Sequence, residues 1–135
     1  MLGDQVGEEK GKTTSLRVLG VEPAKTEISF SGEGRYRGVD GTVAATYWSI
    51  LKPDGVLSGQ GQGIISSRDG QEMVISTGRG IGRFVEPGKI RFVGSVFYNT
   101  TSKGKLAFLN NLVAVFEHEI ERESGKVSNK LWEWK

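Results

Sequence analysis

Glycine-bearing turn signals cut this chain into short lengths, and that punctuation limits its folding options more than any other feature. Asp40-Gly41, Pro53-Asp54-Gly55, Asp69-Gly70, Pro87-Gly88, Lys103-Gly104 and Ser124-Gly125 recur every 14 to 21 residues. Such pairs supply the positive or preset φ that tight reversals need. The segments between them are rich in β-branched and aromatic residues and show stretches of period-two alternation. No window carries a 3.6-residue apolar stripe of helix length. Consecutive hairpins follow, arranged as a meander.

Strands are expected near Ser15–Gly20, Thr26–Arg37, Thr42–Leu51, Val56–Ser67, Glu72–Phe84, Lys89–Asn99, Lys105–Arg122 and Lys126–Trp134. The seventh is too long for one plain strand and is expected to bend or bulge near Asn110-Asn111. Long strands in one meander twist strongly, and closing them removes the exposed edges. The expected fold is therefore all-β, a single antiparallel up-and-down β-barrel of about eight strands. A flattened sandwich is its structural rival.

The 135 residues fit one domain, expected over 15–135. Residues 1–14 mix Gly, Asp, Glu, Lys and Gln, lack the apolar centre of a signal peptide, and read as a flexible N-terminal segment. No apolar run approaches the length of a membrane-spanning helix, so no membrane span and a cytoplasmic location are expected. With no cysteine in the chain, disulfides and thiolate zinc sites are excluded. The net charge of +2 sets up no field that would draw nucleic acid, and no nucleic-acid partner is expected. Charge is nevertheless uneven, with seven basic and three acidic residues between Arg68 and Lys105.

The chain holds 20 glycines, and many alternate within the expected strands: Gly32 and Gly34, then Gly59, Gly61 and Gly63, then Gly78, Gly80 and Gly82. Alternation puts each set on one face. In the second strand that face also carries Ile28, Phe30 and Tyr36, so it is read as inward. Inward glycines let a sheet bend sharply and leave interior volume unfilled. Their neighbours Glu33, Arg35, Gln60, Gln62, Arg79 and Arg83 would then face water; the reverse assignment would line the lumen with these same polar groups.

No motif for catalysis or metal binding emerges. Gly78-Arg79-Gly80-Ile81-Gly82 lacks the following helix and the Lys-Ser/Thr of a phosphate loop. A lone histidine, His118, rules out a two-histidine metal site, and no metal or cofactor is expected. His118 shares a face with Phe116 and Ile120, and with Phe108, Asn110 and Leu112 farther back. An inward histidine could act as a general acid or base, or simply be a hydrogen-bonded core residue. Glu117, Glu119, Glu121 and Glu123 share the opposite face and read as its solvated side. Asn110-Asn111 interrupts the apolar segment, sending one amide inward to fix a ligand's polar end or to satisfy a bulge.

From Gly94-Ser95-Val96-Phe97-Tyr98 through Thr100-Thr101-Ser102-Lys103-Gly104-Lys105-Leu106 to Asn110-Asn111, the chain resembles the late hairpin of allene-oxide-cyclase-like barrels. Phe30-Ser31-Gly32-Glu33-Gly34, the hairpin at Asp54-Gly55 and Gly59-Gln60-Gly61 fit the same group, and the likeness spans most of residues 26 to 120. The resemblance implies an eight-stranded calycin-like barrel with an apolar cavity and frequent self-association as a dimer or trimer. Allene oxide cyclases turn over an unsaturated fatty-acid epoxide by holding it in a productive shape. Their polar cavity residues do not map position by position onto this chain, so the activity is not carried over.

The expected function is binding of a small apolar or amphipathic ligand in the lumen. Tyr36, Trp48, Tyr98, Phe108, Asn110, Phe116 and His118 are the expected lumen residues. Aromatics would supply contact area, and Asn110 or His118 would orient a polar end. The alternatives are an isomerase or cyclase acting by confinement, with His118 assisting, and a structural barrel filled by its own side chains.

Overall fold

A computed structural model describes residues 2–135. Its strands are β1 (Leu2–Val21), β2 (Ala24–Tyr36), β3 (Val39–Leu51), β4 (Leu57–Ser67), β5 (Met73–Glu86), β6 (Lys89–Asn99), β7 (Val113–Glu121) and β8 (Lys126–Trp134). Neighbours in sequence are neighbours in space, every pair is antiparallel, and β1 also pairs with β8. The sheet closes into one eight-stranded up-and-down barrel. Closure leaves no free sheet edge, which is how strands this long avoid edge-to-edge pairing with other chains.

Glycine turns drive the meander. Gly55, Gly70, Gly88 and Gly125 all take positive φ, between 73° and 83°, at hairpin reversals expected from sequence. The β2–β3 reversal differs. Tyr36 pairs with Val39, leaving the two-residue turn Arg37-Gly38 with φ of 47° and 82°. Two consecutive positive φ values match the right-handed twist of the flanking strands. Asp40-Gly41, read as a turn, instead lies inside β3.

Two expected segments are corrected. Residues 2–14, read as a loose terminus, are the first half of β1 and pair from Gly7 onward with both β2 and β8. The long seventh strand is shorter than expected. Lys105–Leu112 forms a loop with a 3₁₀ turn at Ala107–Leu109, and the strand begins only at Val113. Asn111, at φ 61°, ends that turn and points the chain into β7.

The glycine faces point inward as the alternation implied. Around them Val43, Leu57, Ile65, Val74, Phe92 and Val96 are buried, while Gln60, Gln62, Arg79 and Arg83 are exposed. Gly80 and Gly94 sit opposite each other in register. A Cβ on Gly94 would fall on the carbonyl of Arg79, so only glycine lets β5 and β6 approach there.

One end of the barrel is covered. The loop from Thr100 to Leu112 leaves β6, buries Leu106, Leu109 and Leu112, and reaches two other turns of that rim. Glu72, beside the β4–β5 turn, accepts hydrogen bonds from Ser102 Oγ at 2.5 Å and from the Leu106 amide at 2.9 Å. The Arg37 guanidinium of the β2–β3 turn lies 4.8 Å over the Phe108 ring. Because β2–β3 and β6–β7 stand apart around the barrel, these contacts carry the loop across its mouth. On the outer wall Ile64 pairs with Ile75, and both are exposed with nearby Met73 and Phe97. No helix among the described residues is long and apolar enough to cross a membrane.

Candidate functional site

The interior between the glycine faces is not filled. A cavity of about 120 Å³ lies in the lumen, with Gly59, Gly61, Gly78 and Gly80 forming part of its wall. Absent side chains at these positions leave the space that the other strands then line. Aromatic rings dominate that lining: Phe30, Tyr47, Phe92, Tyr98 and Phe116. Glu9, His118 and Asn129 add polar groups.

His118 is buried inside a ring cage. Its centroid lies 5.3 Å from Phe30, 5.5 Å from Tyr47 and 6.2 Å from Phe92. Burial among these rings penalises the imidazolium and lowers its pKa from 6.5 to about 4. At neutral pH the ring is therefore uncharged, and its Nε2 has no hydrogen-bond partner.

Glu9 is the second buried titratable group. Tyr36 donates its hydroxyl proton to Oε2 at 2.5 Å, and Asn129 Nδ2 donates to Oε1 at 2.8 Å. Burial raises the Glu9 carboxyl above its ordinary value, and the two hydrogen bonds oppose that rise. Burial likewise raises the Tyr36, Tyr47 and Tyr98 phenols, so all three stay protonated at neutral pH. The Tyr36 ring fits only because Gly34 is bare: a Cβ there would overlap the Tyr36 hydroxyl.

Three buried polar atoms in this wall have no partner: Tyr47 Oη, His118 Nε2 and Asn129 Oδ1. They are close together in the fold, since His118 and Asn129 are directly opposed on β7 and β8 and the Tyr47 ring packs on His118. Native interiors rarely leave buried polar atoms unsatisfied, so each such atom asks for an explanation.

Of the expected lumen residues, Tyr36, Tyr98, Phe116 and His118 do face the interior, and the last three line the cavity. Trp48, Phe108 and Asn110 do not line it, although Phe108 packs against the core. On β3 it is Tyr47 that faces in, which puts Trp48 on the outer wall. Phe108 belongs to the 3₁₀ turn of the covering loop, packed beneath Arg37. Asn110 is exposed at the end of that turn, where its Oδ1 accepts from the Thr100 amide at 3.1 Å. A helical turn in place of a strand removes the alternation that had sent both inward. His118 meets neither Asn110, Tyr98 nor a glutamate through a hydrogen bond at Nε2.

Sequence reasoning missed Glu9, Tyr47 and Asn129. For Glu9 a signal was present: Gly7, Glu9 and Gly11 alternate as the other inward glycine sets do. The acidic row behaves as read. Glu117 and Glu119 face outward and pair with Arg91 at 2.8 Å and Lys89 at 3.6 Å.

No protein-family model matches the chain, and no curated protein resembles it in sequence. Solved structures match it in fold. A protein of unknown function from Clostridium acetobutylicum superposes with a TM-score of 0.81 at 18% identity, over 96% of each chain. The fold is shared. A conserved protein of unknown function from Rhodopseudomonas palustris follows with a TM-score of 0.76 at 16% identity, covering 98% of this chain and 97% of its own. A chain described as an enzyme from Penicillium herquei gives 0.65 at 16% identity, over 96% and 92%. At such identities the likeness extends to the barrel and no further.

Proposed function

We propose that this barrel binds a small apolar or amphipathic molecule in its lumen. The observation that carries the reading is the group of unpartnered atoms, Tyr47 Oη, His118 Nε2 and Asn129 Oδ1, around an aromatic-lined cavity. Concave, mostly apolar sites with a few convergent polar groups are the usual form of a ligand pocket. The pattern-level resemblance to calycin-like barrels supports the same reading. Native mass spectrometry of the purified protein, followed by extraction and identification of bound small molecules, tests it. A stoichiometric adduct supports it; a mass that stays clean after incubation with small apolar probes overturns it. Self-association belongs to the proposal too, supported by the apolar strip of Ile64, Ile75 and Phe97 outside the barrel. The same spectrum reads it.

A second reading, an isomerase acting by confinement, is favoured by one observation. Glu9, a buried carboxyl with a raised pKa, lines the same cavity as neutral His118. Pairs of titratable groups tuned by burial are the raw material of acid–base chemistry. The structural neighbour described as an enzyme supports it at the level of fold. Loss of turnover with retained binding in Glu9→Gln, on any ligand the first experiment identifies, would carry it; unchanged turnover would sink it.

A further inference from the structure

We propose that the lumen selects a neutral, single-ring molecule bearing a hydroxyl group, a phenol or close relative. This rests on the ligand-binding reading and specifies its chemistry.

Size comes first. A cavity of about 120 Å³ lies near the roughly 150 Å³ apolar cavity that accepts benzene, a size that suits one ring better than a fatty-acyl chain. The walls suit a ring, since Phe30, Tyr47, Phe92 and Phe116 line the space.

Charge comes second. Arg79 is the one basic residue that lines this space, and its side chain is exposed on the outward side of β5. His118 is uncharged at neutral pH, and the other buried titratable groups of the wall are Glu9, Tyr47 and Tyr98. An anionic ligand would meet no buried cation here and would lie in the same apolar lumen as the Glu9 carboxyl, so carboxylates are disfavoured.

Hydrogen-bond polarity comes third. Tyr47 carries a hydroxyl proton with no acceptor, Asn129 Oδ1 is an acceptor with no donor, and His118 Nε2 takes either role according to tautomer. A ligand that satisfies this set must both accept and donate. One hydroxyl on a ring does both, whereas a plain hydrocarbon does neither and leaves all three atoms bare.

The test is titration of the full chain at pH 7 with phenol, toluene and benzoate, followed by protein NMR shifts and calorimetry. Phenol is expected to bind about tenfold tighter than toluene, the size of one or two net hydrogen bonds. Benzoate is expected not to bind. In Tyr47→Phe, phenol should weaken about fivefold while toluene is unchanged, which also shows that the variant is folded. Toluene matching phenol, or benzoate binding tighter than either, overturns the hydroxyl selection while leaving the lumen a ligand site. Failure of all three rings overturns the ligand-binding reading itself.

Discussion

Tyr36 donates to Glu9 Oε2 at 2.5 Å, tying the last residue of β2 to the middle of β1. Both groups are buried, and the other carboxylate oxygen accepts from Asn129 on β8. One carboxyl thus gathers side chains from β2 and β8, the two strands that flank β1 at the closing seam. A buried carboxyl is costly unless its oxygens are satisfied, so losing either donor leaves an uncompensated acceptor.

Tyr36→Phe should therefore destabilise the protein by about 1–3 kcal/mol, read from the urea unfolding midpoint at unchanged slope. Glu9→Gln keeps the shape, and its amide can still accept from Tyr36. It removes the group whose raised pKa makes folding less favourable as pH increases. For Glu9 the stabilising contribution is complete below the unfolded value near 4.5 and is lost as pH rises through the folded value. Relative to the parent chain, Glu9→Gln should gain stability as pH rises across that window. A difference that stays flat with pH would contradict this account.

His118 works in the opposite direction. Its folded pKa is depressed from 6.5 to about 4, so the unfolded chain binds more protons throughout that window. Stability is full above pH 6.5 and falls as pH drops toward 4, by on the order of 3 kcal/mol from this group. Glu9, whose carboxyl pKa is raised by burial, acts in the other sense above its unfolded value near 4.5 and opposes the loss. Denaturation of the parent and His118→Gln at several pH values separates them: the slope between pH 4 and 6.5 should shrink in the variant. Equal slopes would mean that the histidine is not buried neutral.

The loop over the barrel mouth is held by Glu72, which accepts from Ser102 Oγ and the Leu106 amide. Those hydrogen bonds, the Ser102 one foremost, lower the Glu72 carboxyl below its ordinary value. Its contribution is present above the unfolded value and lost as pH falls through the folded one. Glu72→Ala should speed hydrogen exchange at Leu106, Leu109 and Leu112 before it affects the β-strand amides. Unchanged exchange at Leu106 would show that the buried leucines alone hold the loop.

Much of the barrel is legible in the sequence because turn chemistry is local. Lys89–Asn99 and Lys126–Trp134 form strands with the expected bounds, each entered from a glycine turn. The first part of β1 was hidden because its outward residues are Glu8, Lys10 and Lys12, and its inward ones include Gly7, Glu9 and Gly11. Burial there depends on β2 and β8, which no local pattern reports. Tyr47-Trp48 posed a different difficulty: two adjacent aromatics fit either parity, and only pairing in the closed sheet selects Tyr47. Phe108 and Asn110 were misplaced because a 3₁₀ turn and one left-handed residue, Asn111, reset the register before β7. The cavity wall was therefore only partly visible: Tyr98, Phe116 and His118 were placed on it, while Tyr47, Asn129 and the Glu9 carboxyl were missed.

The glycines give the sharpest contrast. A Cβ on Gly34 would collide with the Tyr36 hydroxyl, and one on Gly94 would collide with the backbone carbonyl of Arg79. A side chain can swing aside, whereas a paired backbone cannot, so the two alanine variants should differ in kind. Gly34→Ala should displace the Tyr36 ring from Glu9 and cost about 1–3 kcal/mol, the usual penalty of overpacking. In combination with Tyr36→Phe it should cost less than the sum of the two, because they act on one contact. Gly94→Ala must part β5 from β6 and should be the more damaging, lowering soluble yield or abolishing cooperative unfolding. Gly20→Ala is the control, since its Cβ would meet nothing closer than 3.7 Å. Thermal unfolding of the three variants, scored in that order, checks the claim that bare backbone shapes the lumen. Near-equal melting temperatures for Gly94→Ala and Gly20→Ala would refute it.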